Sequence, residues 1–399
     1  MVPICNVARC RRTHNCAKIG RVVKIVHIYK DYTPVLGGIE NCIQWFAESF
    51  AARGHDVSVL VTALDGCTSI KVENGVRIVR SARQIKAQST PLSLQLPFHV
   101  WRETKHADVV HLHAPYPPGE FANHVFGRAR RIILSWHSDV VKQQILLRLY
   151  GPVLRRVVTG ADCIIAGSDA YARTSPWINS HLDKCSVVPY GVSTRRFFPD
   201  SSARQRLRNQ FNIDGKFVLL SLGRLRYYKG LDDLIRALPA LPPDCVALIG
   251  GVGPMMAGWQ VLAHQLGVAD RVIFAGEIAN NDLAAFYNAG DCYAIPANSR
   301  AEAFGIAILE AMSCGLPVIS TDVGTATSWV NQHERTGFVI APHAQHALAR
   351  AALRLRNEPG LRARMGSAAR ARVEAEFTET LMIERLAAVY ERVVNLPGR

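Results

Sequence analysis

The sequence predicts an α/β protein with two doubly wound domains, and three observations support this prediction. With 399 residues, the chain is longer than one ordinary domain. Short apolar runs rich in Val and Ile recur between longer helix-like segments, and runs without period-two alternation are typical of strands buried on both faces of a parallel sheet. A charged segment with Pro and Ser at residues 192–203 separates two series of such runs and predicts a linker.

The predicted strands fall into one series on each side of this linker. In the first half they lie in VVKIVHIY, HDVSVLVTA, VRIVRS, ADVVHLHA, RRIILSWH, DCIIAGS and CSVVPYG. In the second half they lie in KFVLLSLG, DCVALIGG, RVIFAGE, DCYAIPA, PVISTD and TGFVI. Two doubly wound domains that face each other leave a cleft at the carboxyl ends of their strands, where open α/β sheets bind ligands.

The predicted domains are residues 21–195 and residues 204–376. Residues 1–20 are basic and lack the apolar core of a secretory signal, so a disordered extension and a start codon assigned too early both stay open. Residues 377–399 have apolar side chains at helical spacing, which predicts an amphipathic helix that packs back on the N-terminal domain.

Composition limits the classes of partner. The net charge of +15 suggests an anionic partner, which would be nucleic acid, a phosphorylated small molecule or an acidic membrane surface. A nucleic-acid-binding protein is disfavoured because the sequence has neither a recognition helix nor an aromatic stacking module. No apolar run reaches the ~18 residues of a spanning helix. The expected location is therefore the cytoplasm, with peripheral attachment to the inner face of the membrane as an option.

Cysteine spacing indicates a reducing compartment. The ten cysteines are scattered without any C-x-x-C pair, and several lie inside apolar strand-like runs. Buried free thiols are the expected state.

Two loops carry residues suited to phosphate. Gly37 and Gly38 stand between the first strand and the first helix, where glycine lets a phosphate or sugar approach the amides of a helix N-terminus. Arg224 and Lys229 lie just after the first strand of the second half and suit a diphosphate. The alternatives are an ordinary tight loop in the first case and two solvated cations in the second.

Further glycine turns end the next two strands of the second half. They contain Gly251, Gly253, Pro254 and Gly276. They either close βα units or line the ligand crevice, and the sequence leaves both interpretations open.

The stretch EAFGIAILEAM holds two glutamates. The preceding strand ends near Pro296, and a helix is predicted to begin near residues 304–305 and to end with Gly315 as its cap. Glu302 then lies in the loop before the helix, and Glu310 lies about one turn inside it. The amides of the first turn favour an anion. The alternative is a surface helix whose glutamates face water.

These motifs together resemble the retaining glycosyltransferases of family 4, which have the GT-B fold of two facing Rossmann-like domains. The resemblance rests on GRLRYYKG, on the E-x7-E spacing with its Phe-Gly pair, and on EAM-x-x-G-x-P-V. It extends over nearly all of the chain after residue 20. WHSDVVKQQ and TSWVNQHERTGFV are most similar to bacterial enzymes that build O-antigen or exopolysaccharide, often from GDP-mannose or GDP-rhamnose.

The resemblance implies a role for each matching residue. Arg224 and Lys229 would hold the donor diphosphate, Glu302 the sugar hydroxyls and Glu310 the ribose. The predicted catalytic residues are Glu302, His137, Arg224 and Lys229. The predicted donor-binding residues are Gly37, Gly38, Arg224, Lys229, Gly253, Glu302, Phe304, Gly305, Ile306 and Glu310. Val252 departs from the family pattern, which commonly has an acidic residue in this glycine turn.

The implied reaction is hexose transfer with retention, most simply of mannose from GDP-mannose, and a UDP-sugar donor is the alternative. The sequence has no D-x-D metal motif, so we expect no metal ion and no cofactor. The expected acceptor is a glycolipid or a polyprenyl-diphosphate-linked glycan. A catalytically silent scaffold is a further alternative, disfavoured by the intact Arg224, Lys229, Glu302 and Glu310.

The first domain contains a basic apolar stretch, DVVKQQILLRLYGPVLRRVVTG. It is either an amphipathic helix lying on an anionic membrane or one packed on its own sheet. Its cations are Lys142, Arg148, Arg155 and Arg156, with Arg128, Arg130 and Arg131 nearby in sequence. His111, His113 and Tyr116 end another strand of this domain and could face the acceptor, since histidines and aromatic rings suit a sugar.

Overall fold

The computed structural model describes residues 21–35, 37–87, 90–140 and 144–397. The predicted extension at residues 1–20 and the cation Lys142 lie outside the described residues. The chain forms two compact units, of which the second spans Tyr190–Glu379. The first unit ends at Pro189 and also takes in the chain from Thr380 onward.

The first unit is built around parallel strands with helices between them. Its strands are β1 (Lys24–Ile28), β2 (Asp56–Thr62), β3 (Ser69–Glu73), β4 (Val76–Ser81), β5 (Ile85–Ala87), β6 (Thr90–Leu92), β7 (Val109–Ala114), β8 (Arg131–Trp136), β9 (Cys163–Ala166) and β10 (Cys185–Val187). Its helices before the second unit are α1 (Gly38–Ala52), α2 (Leu96–Thr104), α3 (Pro117–Phe126), α4 (Gln144–Gly160) and α5 (Asp169–Thr174).

The second unit repeats this architecture. Its strands are β11 (Phe217–Leu222), β12 (Cys245–Gly250), β13 (Val272–Gly276), β14 (Cys292–Ile295), β15 (Val318–Thr321) and β16 (Gly337–Ile340). Its helices are α6 (Ser201–Gln210), α7 (Leu231–Ala237), α8 (Met256–Gln265), α9 (Leu283–Asn288), α10 (Ile306–Ser313), α11 (Thr327–Val330), α12 (Gln345–Asn357) and α13 (Pro359–Glu376), and α14 (Glu379–Val394) follows. Short 3-10 helices lie at Asn179–Lys184, Tyr227–Lys229, Leu238–Ala240, Ala269–Arg271 and Asn280–Asp282.

Both main sheets are doubly wound. The second unit has a six-stranded sheet in the order β13-β12-β11-β14-β15-β16, in which every pairing is parallel. The first unit has an eight-stranded sheet in the order β10-β9-β8-β7-β1-β2-β4-β3, in which β3 alone pairs antiparallel. The strand order reverses between β11 and β14 in one sheet and between β1 and β7 in the other, which are the topological switch points where such sheets bind ligands.

The apolar runs form strands because each buries both faces of its sheet. In β11, Leu219 packs into one hydrophobic cluster and Leu220 into another on the opposite face. In β12, Ile249 packs into the same cluster as Leu219, and Leu248 packs into the same cluster as Leu220. A strand between two helical layers has no face left for polar side chains, so its sequence is continuously apolar. The prediction of an α/β fold with two Rossmann-like sheets is confirmed.

The segment at residues 192–203, which was predicted as a linker, is built into the second unit. Val192 forms a bridge with Thr378, and Phe197 is buried in the core of the second unit. Helix α6 already begins at Ser201, where Asp200 Oδ1 accepts hydrogen bonds from the Ser202 and Ala203 amides. The two units therefore divide at Pro189, before the predicted end of the first domain at residue 195.

Helix α14 lies in the first unit although it follows the whole second unit in sequence. The hydroxyl of the fully buried Tyr390 forms a hydrogen bond of 2.7 Å with His111 Nδ1. Its ring also packs against Phe50 of α1, with centroids 4.8 Å apart. These contacts make α14 part of the core of the first unit.

Two further predictions concern cysteines and membrane spans. All cysteines within the described ranges are free thiols, and all of them except Cys67 are buried. In the same ranges, no helix has both the length and the apolar character that crossing a bilayer requires.

Candidate active site

The loops after β11 and β14 flank the switch point of the second sheet. β11 and β14 are hydrogen-bonded neighbours, with Leu219 opposite Cys292 and Leu220 opposite Tyr293. The β11 loop carries Arg224 and Lys229, and the β14 loop carries Glu302. The sheet topology therefore explains why residues so far apart in sequence come together.

Lys229 and Glu302 form an ion pair at this point. Lys229 Nζ lies 2.8 Å from Glu302 Oε2, and the two side chains are only 13% and 9% exposed. Burial alone would lower the pKa of the Lys229 ammonium, but Glu302, Tyr293 and Tyr228 together outweigh this effect and the pKa is raised. The ammonium of Lys229 is therefore charged. Both side chains lie at the edge of the sheet where a ligand would bind.

Close backbone packing holds the two loops together. Gly230 has φ 64°, and a Cβ there would lie 1.9 Å from the Pro296 carbonyl oxygen, so only glycine fits. The Asn298 amide donates to the Tyr228 carbonyl at 3.0 Å. On the other side, Thr325 Oγ1 donates to the Glu302 carbonyl at 2.8 Å. The ion pair is thus fixed through the backbone on both sides.

The glycine turn after β12 packs against the β11 loop. A Cβ at Gly251 would lie 2.1 Å from the Gly223 carbonyl oxygen, and one at Gly253 would lie 2.4 Å from that of Leu225. Val252, where the sequence departs from the family pattern, is 46% exposed. These glycines therefore have a packing role, and a contact between Gly253 and the donor stays a prediction. Arg224 is exposed beside them.

Helix α10 begins as predicted, directly after the Phe-Gly pair. Gly305 precedes the helix with φ 80°, and Phe304 is buried. The amides of the first helical turn have no acceptor within the helix. At the other end, Gly315 adopts φ 78°, and the Gly315 and Leu316 amides donate to the Met312 and Ala311 carbonyls, which is a Schellman motif.

Glu310 lies one turn inside α10 and does not face open water. Tyr287 of α9 donates a hydrogen bond to Glu310 Oε2 at 2.6 Å. Burial raises the pKa of the Glu310 carboxyl to about 6, although Tyr287, Arg196 and Lys229 act in the opposite direction. The interpretation of EAFGIAILEAM as a surface helix with two solvated glutamates is therefore wrong for Glu310, and the burial of Glu302 excludes it there as well.

In the first unit, Gly37 and Gly38 lie where the first helix starts. Helix α1 begins at Gly38, and a side chain at Gly37 would displace the Glu40 carboxylate. Leu36 lies outside the described residues. The contact of Gly37 and Gly38 with donor phosphate stays a prediction.

His137 follows β8 in the first unit and is 6% exposed. Its backbone amide donates to the Ala114 carbonyl at 3.0 Å, and its Nε2 lies 2.9 Å from His113 Nδ1. Burial lowers the pKa of His137 to about 3, so the imidazole is neutral at physiological pH.

The expectation that His111, His113 and Tyr116 face the acceptor is wrong. All three are at most 1% exposed, because β7 runs through the middle of the sheet. The Tyr116 hydroxyl pairs with Thr62 Oγ1 at 2.7 Å inside the unit. Helix α4 packs Leu154, Val157 and Val158 inward and leaves its described arginines exposed.

The structure thus brings Lys229 and Glu302 into contact, next to the glycine turns and α10, whereas Gly37, Gly38 and His137 belong to the other unit. The sequence analysis did not identify Thr325, Tyr287 or His27. Thr325 and Tyr287 act through tertiary contacts that leave no local pattern. His27 could have been identified from the sequence, because a histidine inside the apolar run KIVHI is unusual for a buried strand.

Two family models match the chain, one over each half. Residues 36–196 match the family described as Glycosyltransferase Family 4. Residues 203–372 match the family described as Glycosyl transferases group 1.

Similar proteins cover nearly the full chain. D-rhamnosyltransferase WbpZ of Pseudomonas aeruginosa is 33% identical over 358 residues, which are 89% of this chain and 92% of the relative. O-antigen chain mannosyltransferase C of Escherichia coli is 32% identical over 376 residues, which are 94% of this chain and 99% of that relative. A sucrose-phosphate synthase from Thermosynechococcus elongatus has a similar structure, with a TM-score of 0.77 over 92% of this chain and 98% of that one at 22% identity.

Proposed function

The chain belongs to the family 4 glycosyltransferases, and on this premise we propose that it transfers a hexose, with retention of configuration, from a nucleotide sugar to a glycan acceptor in cell-surface polysaccharide synthesis. The observation that supports this role most strongly is the buried Lys229–Glu302 pair at the switch point of the second sheet. A cation and a carboxylate side by side suit a ligand that presents both a phosphate and sugar hydroxyls.

We propose GDP-mannose as the donor. The support is the similarity to a D-rhamnosyltransferase and to an O-antigen chain mannosyltransferase. A mannosyltransferase of Mycobacterium tuberculosis that is named GDP-mannose-dependent is also similar, at 28% identity over 380 residues. A UDP-sugar donor is the alternative, and the assay below distinguishes the two.

The proposed chemistry uses the site without a metal ion or cofactor. The acceptor hydroxyl attacks the anomeric carbon on the face from which the nucleoside diphosphate leaves, and its proton passes to a donor phosphate oxygen. Arg224, Lys229 and the first-turn amides of α10 stabilise the charge that develops on the leaving diphosphate. Glu302 accepts hydrogen bonds from the hexose hydroxyls, and Glu310 accepts them from the ribose.

The activity test offers GDP-mannose, UDP-glucose and UDP-N-acetylglucosamine to the purified protein with a lipid-linked glycan extract, and measures nucleotide release. We expect release with GDP-mannose and a fall of about a hundredfold in kcat/KM for Glu302→Gln, which keeps the shape of the side chain and removes its charge. Glu334→Gln is the matched control because Glu334 is 60% exposed in the same unit. The proposal fails if the folded protein releases nucleotide from none of the three donors.

We also propose that the first unit lies on an anionic membrane, where polyprenyl-linked acceptors reside. Helix α3 packs against both α2 and α4. The three helices expose apolar side chains as well as cations, and Lys105 lies over the Trp101 ring. This aromatic–basic surface consists of Phe98, Trp101, Phe121, Val125 and Leu149 with Arg102, Lys105, Arg128 and Arg148. Exposed aromatic groups rimmed by arginine and lysine are typical of surfaces that insert at the headgroup level.

Vesicle sedimentation tests this surface. We expect binding to vesicles that contain phosphatidylglycerol and little binding to pure phosphatidylcholine. Replacing Phe98 and Leu149 with Ser should weaken binding by about tenfold for each side chain, since each loses part of its apolar transfer energy. Val261→Ser is the control, because Val261 is 55% exposed on α8 in the second unit. Equal loss with this control would refute the assignment of the surface.

A further inference from the structure

Helix α10 contains a carboxylate that its packing does not need. Glu310 is only partly exposed, on a helix whose Ile308, Leu309 and Met312 belong to the hydrophobic core of the second unit. Burial raises the pKa of the Glu310 carboxyl to about 6, so the folded protein keeps the ionised form at a cost. Apolar side chains at both ends of its contact with α9 would avoid that cost. The carboxylate therefore requires an explanation other than packing.

The hydroxyl of Tyr287 is the hydrogen-bond donor to this carboxylate. It lies 2.6 Å from Glu310 Oε2, a distance typical of a charge-assisted bond between a hydroxyl and a carboxylate. Burial and the adjacent Glu310 raise the pKa of Tyr287 well above its usual range, so the hydroxyl keeps its proton at physiological pH. Among the residues that the structure describes, none donates a hydrogen bond to the other oxygen, Oε1.

The position of the Tyr287 hydroxyl is determined by packing. The residue is 0% exposed, and its ring lies edge-to-face against Phe197, with centroids 5.9 Å apart. On another side the ring packs against Tyr293 of β14 at 5.8 Å, and the Tyr293 hydroxyl donates to the Leu222 carbonyl at the end of β11 at 3.1 Å. A close-packed ring has little freedom to change rotamer. Glu310 Oε2 is therefore held in place relative to the carboxyl ends of β11 and β14.

The charges around Glu310 leave it accessible to a ligand. Arg196 and Lys229 both lower the pKa of its carboxyl, but Arg196 is bonded to Asn280 and Lys229 is paired with Glu302. Three further titratable groups interact with it and are neutral at physiological pH, namely Tyr287, Tyr293 and Cys314. The carboxylate thus has two cations at a distance and one direct donor, and Oε1 remains as an acceptor.

We propose that Tyr287 is a positioning residue that holds Glu310 so that Oε1 accepts a hydrogen bond from a ribose hydroxyl of the donor nucleotide. Glu310 contacts the nucleotide, and Tyr287 acts only through Glu310. A carboxylate has about four lone-pair positions, and the tyrosine uses one of those on Oε2. A carboxylate that is already fixed loses less freedom when the ribose binds. This assignment rests on the proposed function, whereas the effect of Tyr287 on the Glu310 carboxylate does not.

The two ionisation states of Glu310 should differ in their affinity for ribose. The carboxylate accepts a charge-assisted hydrogen bond, which is stronger than any bond that the neutral acid accepts. The contribution of the ribose hydroxyls should therefore be present above the pKa of about 6 and be lost as the pH falls through it. Tyr287→Phe removes a hydrogen bond that lowers this pKa, so in the variant the loss should begin at a higher pH.

Calorimetric titration of the full-length protein with GDP and with 2′,3′-dideoxy-GDP tests the ribose contact. The two ligands share their base and diphosphate, so the titration of the phosphate cancels in the ratio of their affinities. We expect wild-type protein to bind GDP about tenfold more tightly at about pH 7.5 and to bind the two about equally at about pH 5. If the protein takes UDP sugars, UDP and 2′,3′-dideoxy-UDP are the corresponding pair.

Tyr287→Phe keeps the buried ring and removes only the hydroxyl. At about pH 7.5 we expect it to lose most of the tenfold preference for GDP and to bind 2′,3′-dideoxy-GDP within about twofold of the wild type. In hexose transfer, KM for the sugar nucleotide should rise by a similar factor with little change in kcat, because no bond of the ribose changes in the reaction. Tyr293→Phe is the matched control, since it also removes a buried tyrosine hydroxyl but one bonded to the Leu222 carbonyl, and it should keep the preference for GDP.

The effect of Tyr287 on Glu310 can be measured without any nucleotide. Carboxyl 13C shifts of protein labelled at glutamate report the pKa of each carboxyl, and the loss of one signal in Glu310→Gln assigns that residue. We expect the pKa of Glu310 to be higher in Tyr287→Phe than in the wild type, and unchanged in Tyr293→Phe. An unchanged pKa in Tyr287→Phe would refute the positioning role.

The binding data distinguish the remaining outcomes. If Tyr287→Phe weakens GDP and 2′,3′-dideoxy-GDP equally, the hydroxyl has a general structural role and the proposal is wrong. If wild-type protein shows no preference for GDP at any pH, the ribose contact is wrong, whereas nucleotide release from a sugar donor would still support the transferase activity. If the folded protein binds neither GDP nor UDP, the ribose contact and the proposed function both fail.

Discussion

The Lys229–Glu302 ion pair of the second unit limits which substitutions can be used to test its function. Lys229 and Glu302 neutralise each other in a nearly buried contact. Removing either one leaves the other charge buried without its partner, which typically costs several kcal/mol of stability. Glu302→Gln is therefore preferable to Glu302→Ala as a probe, because the amide oxygen can still accept a hydrogen bond from Lys229.

Glu310 should make the stability of the second unit depend on pH. The carboxyl titrates near 4.5 when unfolded and near 6 when folded, so the unfolded state binds fewer protons between these values. The free energy of unfolding should then fall as pH rises through this window, by at most about 2 kcal/mol. Glu310→Gln removes this titration and keeps an acceptor for Tyr287.

Chemical unfolding of both proteins at several pH values between 4.5 and 7 measures this effect. Other groups, such as the buried Glu120 with its raised pKa, titrate in both proteins and cancel in the difference. We expect the variant to gain stability relative to the wild type as pH increases. A difference that does not vary with pH would show that Glu310 titrates at its ordinary value in the folded protein.

Single residues were predictable from sequence where the chemistry is local. Glu302 and Glu310 could be placed because the Phe-Gly pair marks a helix start and both glutamates are counted from it. The Tyr287 contact to Glu310 was not predictable, since it depends on how α9 packs against α10. The contacts of His113 with His27 and His137 join residues 86 and 24 positions apart, and predicting them would require the strand order and register of β1, β7 and β8.

At the level of elements, every apolar run predicted as a strand is one, because burial on both faces leaves a continuous apolar signal. β3 was missed because most of its side chains are exposed and its sequence, SIKVE, is mixed. Its turn did leave a signal in Asn74-Gly75, where both residues have positive φ, as a tight hairpin between β3 and β4 requires.

Helix α4 shows that the two interpretations of the basic stretch were not exclusive. One face packs against the first unit through Leu154, Val157 and Val158, and the other exposes Arg148, Arg155 and Arg156. The aromatic side chains of α2 and α3 were not recognised as part of the same surface. Helices distant in sequence contribute to it, so no single helical period reveals it.

For the whole molecule, the important feature is that α14 completes the first unit. Leu386 and Tyr390 are fully buried there. We expect Leu386→Ala to cost about 2–5 kcal/mol, because it removes core contacts and leaves a cavity. Hydrogen exchange measured by mass spectrometry should then be faster in β1 and β7 and unchanged in β11 and β14.

Glu384→Ala is the control for this experiment, since Glu384 is exposed on the same helix and its removal leaves the core intact. We expect its exchange pattern to match the wild type. Faster exchange in the second unit of Leu386→Ala would show that α14 stabilises the second unit. That result would contradict the assignment of this helix to the first unit.

The position of α14 also determines the order in which the protein can fold on the ribosome. The second unit is topologically an insertion in the first, so it has all of its strands outside the exit tunnel while the first unit still lacks its last helix. Until α14 emerges, the buried faces of Phe50 and His111 have no cover. The nascent chain therefore passes through a stage with a complete second unit and an unfinished first unit, which a chaperone would have to protect.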